Sequence, residues 1–209
     1  LNNTDVYKRQ VKIIEPLVFM QYRGIRIDTD NIHKASEEAE DELIPLLDKL
    51  YEMAGRELNP NSPKQLKDYF YGHLGHTPIK DKGSITTGEV AMKQLSALGV
   101  KEASIILSIR KLRKLKGTYL DMKFRPDNRF ATSFKPVGTK NGRLSAAKTI
   151  QGFGGNSQNL PYLVKKYYLA DEGYLIYEID LSQAENRLMA YISPELEMIK
   201  AFEAGVDIH

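Results

Sequence analysis

Apolar residues recur at helical spacing through the first half of the chain and give way to alternation and glycine-rich loops in the second. From Val11, the residues Ile13, Ile14, Leu17, Val18 and Tyr22 predict a helix stopped by Gly24, followed by a short extended Ile25-Arg26-Ile27. Thr29 or Asp30 is expected to cap the next helix, whose stripe of Ile32, Ala35, Ala39, Leu43, Leu46, Leu47 and Leu50 ends at Gly55. Pro45 is expected to kink or break it. Asn59-Pro60-Asn61-Ser62-Pro63 reads as a turn in which Ser62 caps a helix with Pro63 in its first position and Leu66, Tyr69 and Phe70 inward. Residues 72–88 are too polar for a core and read as a mobile loop. Thr87 then starts a helix over 89–98, closed by Gly99. The next helix, over 101–116, turns Ile105, Ile109 and Leu112 inward and Arg110, Lys111, Arg113, Lys114 and Lys116 outward.

Beyond Gly117 the texture changes, which sets an expected domain boundary near Asp127. Residues 129–134 alternate like a strand, and 138–155, with five glycines, read as loop. The string YLIYEID, residues 174–180, is the best strand pattern in the chain. Helices over 183–191 and 195–204 follow, separated by Pro194 and closed by Gly205. The first ten residues carry neither period and resemble translated adapter sequence, so they are read as disordered or as an assembly scar.

The chain has 209 residues and no cysteine, which excludes a disulfide framework, a thiol nucleophile and a cysteine metal site. No apolar run approaches the roughly 20 residues of a membrane span, and no secretory leader opens the chain, so a cytoplasmic protein is expected. The net charge of +3 conceals segregation. Residues 101–169 hold 15 Lys and Arg against 3 Asp and Glu, whereas residues 28–57 and 170–209 each balance to −7. A basic middle between acidic flanks suggests a polyanion-binding surface beside a carboxylate-bearing one; solvated helix faces are the alternative.

Asp180 ends the strand pattern and Ser182-Gln183-Ala184-Glu185 opens the next helix, placing a carboxylate at a strand-to-helix edge. Such a position suits a hard cation such as Mg²⁺, which takes a few carboxylate oxygens plus substrate phosphates. An Asp ending a strand also forms turns. Ser182 and Glu185 have the spacing of a capping box, a purely structural role. Glu178 and Asp180 share a strand face, so a metal-dependent nuclease is a competing chemistry.

At this point the chain resembles a known family. DLSQAENR, Asp180 to Arg187, is similar to motif A of the family A DNA polymerases, the bacterial DNA polymerase I type. Upstream, Gly142-Arg143-Leu144-Ser145 and Asn156-x-Gln158-Asn159-Leu160-Pro161 resemble the family's GRLS and N-x-QN-I-P elements. Lys114-Leu115-Lys116-Gly117-Thr118-Tyr119 resembles the end of a thumb helix, Asn59 to Leu66 the start of an earlier one, and Gly205-x-Asp207-Ile208-His209 the G-x-DIH that follows motif A. All occur in family order.

The resemblance implies an α+β polymerase fragment: a connecting helix over 11–29, a helical thumb over 30–128, and over 129–209 the first part of an antiparallel-sheet palm, truncated before the fingers. It implies template-directed DNA synthesis in a bacterial or viral enzyme. Asp180 would ligate both of two Mg²⁺ ions, with the Leu181 carbonyl helping to hold one. Gln183, Glu185 and His209 would meet the nucleotide, Glu185 closing over the sugar to exclude a 2′-hydroxyl. Arg143, Asn156, Gln158 and Asn159 would contact the primer terminus, where similar minor-groove acceptors let donors test pairing without reading sequence. Lys114 and Lys116 would meet backbone phosphates. The implied partners are primer-template DNA and deoxynucleoside triphosphates, with the enzyme a monomer. Leu181 stands where the family has an aromatic, Ala184 and Asn186 where it has larger aliphatic residues, and Lys165-Lys166 where it has arginines. The second catalytic carboxylate falls beyond His209, so the fragment alone is expected to bind DNA without extending a primer. The alternative class is a non-catalytic DNA-binding module.

Overall fold

The computed structural model describes Lys8 and residues 10–207. The expectation for the first ten residues therefore lies almost wholly outside the described chain, as does that for His209. The protein is α+β and divides into two compact units, residues 1–171 and 172–209.

The first unit has two cores threaded by one long helix. Helix α1 (Ile14–Arg23) leads into β1 (Ile25–Ile27) through Gly24, whose φ of 62° lies in the left-handed region that glycine tolerates. Helix α2 (Thr29–Ala54) is capped by Asp28, one residue before the expected cap, whose Oδ1 accepts from the Asn31 amide at 3.2 Å. Thr29 and Asp30 are helical instead. Pro45 does not break α2, which stays continuous over 26 residues, or about 39 Å. Its first half buries Ile32 and Ala39 against Ile27, Leu120, Phe130 and Val164. Its second half buries Leu43 and Leu50 in a helical core.

That helical core matches the apolar pattern closely. Ser62 accepts from the Gln65 amide at 3.3 Å and caps α3 (Pro63–Lys67), which widens into a π-helical turn, Asp68–His73, with Leu66, Tyr69 and Phe70 buried. The loop expected over 72–88 contains a small hairpin, β2 (Lys80–Asp81) and β3 (Ser84–Ile85). Lys82 and Gly83 both have positive φ, 48° and 82°, the geometry of a two-residue hairpin turn. Helix α4 (Glu89–Ala97) begins after Gly88 rather than at Thr87, and α5 (Lys101–Leu115) packs Ala103, Ile105, Ile106 and Ile109 inward. Arg110 corrects the outward reading of its face. Half-buried, it donates to the carbonyl oxygens of Pro60 at 2.8 Å and Thr87 at 2.9 Å, tying two loops to α5. A π-helical turn, Lys116–Leu120, ends α5.

The second core lies under a three-stranded antiparallel sheet in the order β4 (Arg129–Phe130), β1, β7 (Tyr168–Leu169), with Ile25 opposite Phe130 and Arg26 opposite Leu169. The compact unit therefore runs straight through the change of texture near Asp127. The strand expected over 129–134 is two pieces, β4 and β5 (Ser133–Lys135), with Ala131 and Thr132 buried between them. Strand β6 (Ser145–Ala147), inside the expected loop, pairs with β5. A short 3₁₀ turn (Ser157–Asn159) and α6 (Tyr162–Lys165) precede β7.

The second unit corrects the strongest strand expectation. Residues 174–180 are in no ladder among the described residues, and Tyr174, Leu175, Ile176, Tyr177 and Ile179 are all exposed. A strand exists only through a neighbour's hydrogen bonds, which composition alone does not supply. Helices α7 (Ala184–Ile192) and α8 (Leu196–Glu203) follow, packed through Ala190 and Phe202.

Three aspartates hold the first unit in their charged form. Asp28 lies below the ordinary carboxylate range because the Asn31 side chain and amide hydrogen-bond to it. For Asp121 burial opposes the charge, but hydrogen bonds from Ser36 and Lys116 outweigh it and lower the pKa. Asp171 is lowered by hydrogen bonds from Arg129, at 2.5 Å, and from Arg23, at 3.1 Å. A carboxyl lowered by folding contributes stability that is full above its unfolded pKa and is lost as pH falls through the folded one. Thermal melts of the chain should be flat near neutrality and fall steeply below about pH 4. Asp121→Asn should lower the neutral melting temperature and flatten that acid limb; an unchanged limb would show that Asp121 does not carry it.

Candidate functional site

In the first unit the basic and amide residues singled out from sequence cluster around the β5–β6 hairpin and the 3₁₀ turn. The turn exists because Asn156 is its N-cap, with Oδ1 accepting from the Gln158 amide at 2.9 Å. Gln158 Nε2 donates to the Leu144 carbonyl at 3.2 Å, which joins the turn to the segment that carries Arg143. Thr139 Oγ1 donates to the Arg143 carbonyl at 2.6 Å and closes the hairpin loop. Arg143, Gln158 and Asn159 are exposed and Asn156 is half-buried. These four donors thus stand on one backbone framework.

That framework is fixed to the core by a close backbone approach. The Gly154 amide donates to the Lys123 carbonyl at 2.7 Å, the Gly155 amide to Ala131 at 3.2 Å, and Thr132 Oγ1 to the Gly155 carbonyl at 2.8 Å. A Cβ at Gly154 would overlap the Ala131 carbonyl oxygen and lie 2.7 Å from its carbon, and φ there is 64°. Only glycine fits. The sequence marked this stretch as loop; nothing in it announced the contact with Ala131.

The two lysines expected to meet phosphates, Lys114 and Lys116, differ. Lys114 is exposed and, with Lys111, borders a groove of about 420 Å³ floored by Leu46, Leu112, Leu115, Tyr119 and Leu163. Lys116 is half-buried, 2.9 Å from Asp121 and 3.5 Å from Glu40, and the Asp121 hydrogen bond raises its pKa. It has an internal role that the charge pattern did not reveal.

In the second unit Asp180 and Leu181 are exposed just ahead of the turn that opens α7. The expected capping box is not formed. The N-cap is Gln183, not Ser182, and no side chain caps the helix there. Gln183 adopts a left-handed conformation, φ 52° and ψ 34°, uncommon outside glycine and frequent at functional turns. Arg187 secures this turn: its Nε donates to the Ser182 carbonyl at 3.1 Å, and its guanidinium lies 4.8 Å from the Phe202 ring centre. Glu185 is exposed in the first turn of α7. The Asp180 carboxylate and Leu181 carbonyl are hard oxygen donors, which suits Mg²⁺. Among the described residues no group of three His, Cys, Asp or Glu could hold a metal by itself.

A profile described as DNA polymerase family A matches residues 29–209, most of the chain. The chain belongs to this family. It is 33% identical over 225 residues to DNA polymerase I of Chloroflexus aurantiacus, covering 98% of this chain and 23% of that protein. To DNA polymerase I of Rhizobium leguminosarum it is 32% identical over 219 residues, covering 99% of this chain and 21% of that one. Among solved structures it is similar to the POL domain of Pol1 from M. smegmatis in complex with DNA primer-template and dNTP, with a TM-score of 0.78, 28% identity, and 92% of this chain and 35% of that chain covered. The chain spans under a quarter of the length of these two bacterial relatives. The family match spans Arg143, the Asn156 to Asn159 turn and the Asp180 to Arg187 segment. No described helix is long and apolar enough to cross a membrane.

Proposed function

We propose that this chain is the thumb and first part of the palm of a monomeric, template-directed DNA polymerase that joins deoxynucleotides to a primer 3′-hydroxyl. The observation that carries the reading is the exposed Asp180 just ahead of the turn that opens α7, within a segment that the family profile spans. The similar structure's bound primer-template and dNTP support the choice of substrates.

Asp180 and the Leu181 carbonyl would hold Mg²⁺, which when bound neutralises the triphosphate and favours the deprotonated primer hydroxyl. Gln183 and Glu185, presented by the left-handed turn and the first turn of α7, would border the incoming nucleotide. His209 keeps its assignment near the phosphates on motif grounds alone. Arg143 and the amides of Asn156, Gln158 and Asn159 would donate to minor-groove acceptors shared by all base pairs. Lys114 would meet a backbone phosphate, and Lys116 would do so only in competition with Asp121. By itself the 209-residue chain is expected to bind DNA without extending a primer, because Asp180 is one half of a two-carboxylate site.

The test is a salt titration of primer-template binding by the chain. Affinity should be weak, independent of sequence, and fall by at least tenfold between about 50 and 200 mM salt. Lys114→Ala should weaken binding equally for all sequences and flatten the log–log salt slope by roughly one unit. Affinity that ignores salt would overturn the interface.

A further inference from the structure

We propose that Gln21, on a helix outside every motif named above, is a positioning residue that sets the β5–β6 hairpin and through it Arg143. This rests on the reading of Arg143 as a primer-template contact.

The hairpin is a two-stranded ribbon with Ser133 opposite Ala147, Phe134 opposite Ala146 and Lys135 opposite Ser145. In an antiparallel pair, alternate residues turn their N–H groups away from the partner strand. On β5 the outward group is that of Phe134, and it donates to Gln21 Oε1 at 2.8 Å in a part-buried setting. A side-chain amide thus takes the place of a third strand. Two-stranded ribbons this short are marginal alone, so an edge bond from a firm support matters.

The support is firm for polar reasons. Leu17 is the buried residue of α1, so apolar packing does little to orient the helix. Its C-terminal end is held instead by Arg125, which donates to the Tyr22 carbonyl at 2.6 Å, and by Arg23, paired with Asp171 at 3.1 Å. Gln21 shares its helix face with Leu17, four residues earlier. From Phe134 the register passes to β6, whose first residue, Ser145, lies two after Arg143, while the intervening Leu144 carbonyl receives Gln158. Loss of the Gln21 acceptor leaves a part-buried N–H unpaired at the edge of the ribbon that places both Arg143 and the amide turn.

The experiment compares the 209-residue chain with its Gln21→Leu, Gln21→Glu and Arg143→Ala variants, binding a recessed primer-template and a blunt duplex at one salt concentration, with hydrogen exchange of the Phe134 amide. Leu removes the acceptor at similar volume, and Glu keeps it. Gln21→Leu is expected to speed Phe134 exchange by roughly five- to tenfold and to cut the preference for the recessed end by a similar factor toward that of Arg143→Ala, with blunt-duplex affinity and salt slope unchanged. Gln21→Glu should restore both. The proposal is overturned if Gln21→Leu keeps the preference that Arg143→Ala loses, if it weakens both DNAs equally, or if Glu rescues neither readout. If Arg143→Ala itself leaves the preference intact, the DNA reading of Arg143 fails instead, and Phe134 exchange still decides whether Gln21 holds the ribbon.

Discussion

Asp180→Ala, placed in a complete polymerase carrying this segment, should reduce primer extension by roughly three orders of magnitude or more, with primer-template affinity within about twofold of the parent. Phosphoryl transfer leaves little covalent chemistry for the protein, so the barrier is lowered mainly by positioning and charge neutralisation. A ligand to both metals contributes several kcal/mol to that neutralisation, and about 4 kcal/mol corresponds to a thousandfold. DNA binding should survive because it draws on the basic residues of the first unit. Asp180 belongs to a segment whose balance is already −7, so removing a carboxylate does not cost phosphate attraction. Single-turnover extension with Mg²⁺ and the four deoxynucleotides reads the first quantity, and fluorescence anisotropy the second. Retention of more than about a tenth of the parental rate would remove Asp180 from the metal site.

Gly154→Ala should be the most damaging small substitution in the first unit. The added methyl meets the Ala131 carbonyl and sits on a backbone with φ 64°, so both the loop and the strand junction must move. We expect a loss of about 2–4 kcal/mol, or roughly 5–15 °C in melting temperature for a unit of this size. Displacement of Gly155 also breaks its bonds to Ala131 and Thr132, so the turn bearing Asn156, Gln158 and Asn159 should lose its hold even where the protein stays folded. Gly152→Ala is the control: its φ is 81°, yet nothing lies within 4 Å of a Cβ there. Equal losses in the two variants would show that φ strain alone, not the contact with Ala131, decides the outcome.

The helical half was legible because its burial is one-sided. Leu66, Tyr69, Phe70, Ile105 and Ile109 lie inside, as their spacing requires, and the Ser62 cap is local chemistry that a sequence displays directly. What escaped was decided at a distance. The YLIYEID segment has strand composition but joins no ladder among the described residues, and a ladder belongs to two segments. Arg110 and Lys116 look like solvated charges until Pro60 and Thr87 reach the first from two distant loops, and Glu40, beside the nearby Asp121, reaches the second. The β2–β3 hairpin was hidden because Lys82 takes a positive φ that its side chain does not advertise. The motif segment around Asp180 was recognisable as a string, whereas the left-handed Gln183 that shifts the helix start is a property of the backbone alone.

The central place of β1 in its sheet has a consequence for synthesis on the ribosome. Ile25 pairs with Phe130 and Arg26 with Leu169, so both edges of this strand wait for chain made more than a hundred residues later. At about 5–20 residues per second, β1 remains without its second neighbour for roughly 7 to 30 seconds. The helical core around Leu50, Phe70 and Ile106 closes over much shorter separations and can be complete before Leu169 emerges. The unit is therefore built from its middle outwards, with its N-terminal strand among the last pieces to be seated, and Asp171, the residue that grips both Arg23 and Arg129, is the last to emerge.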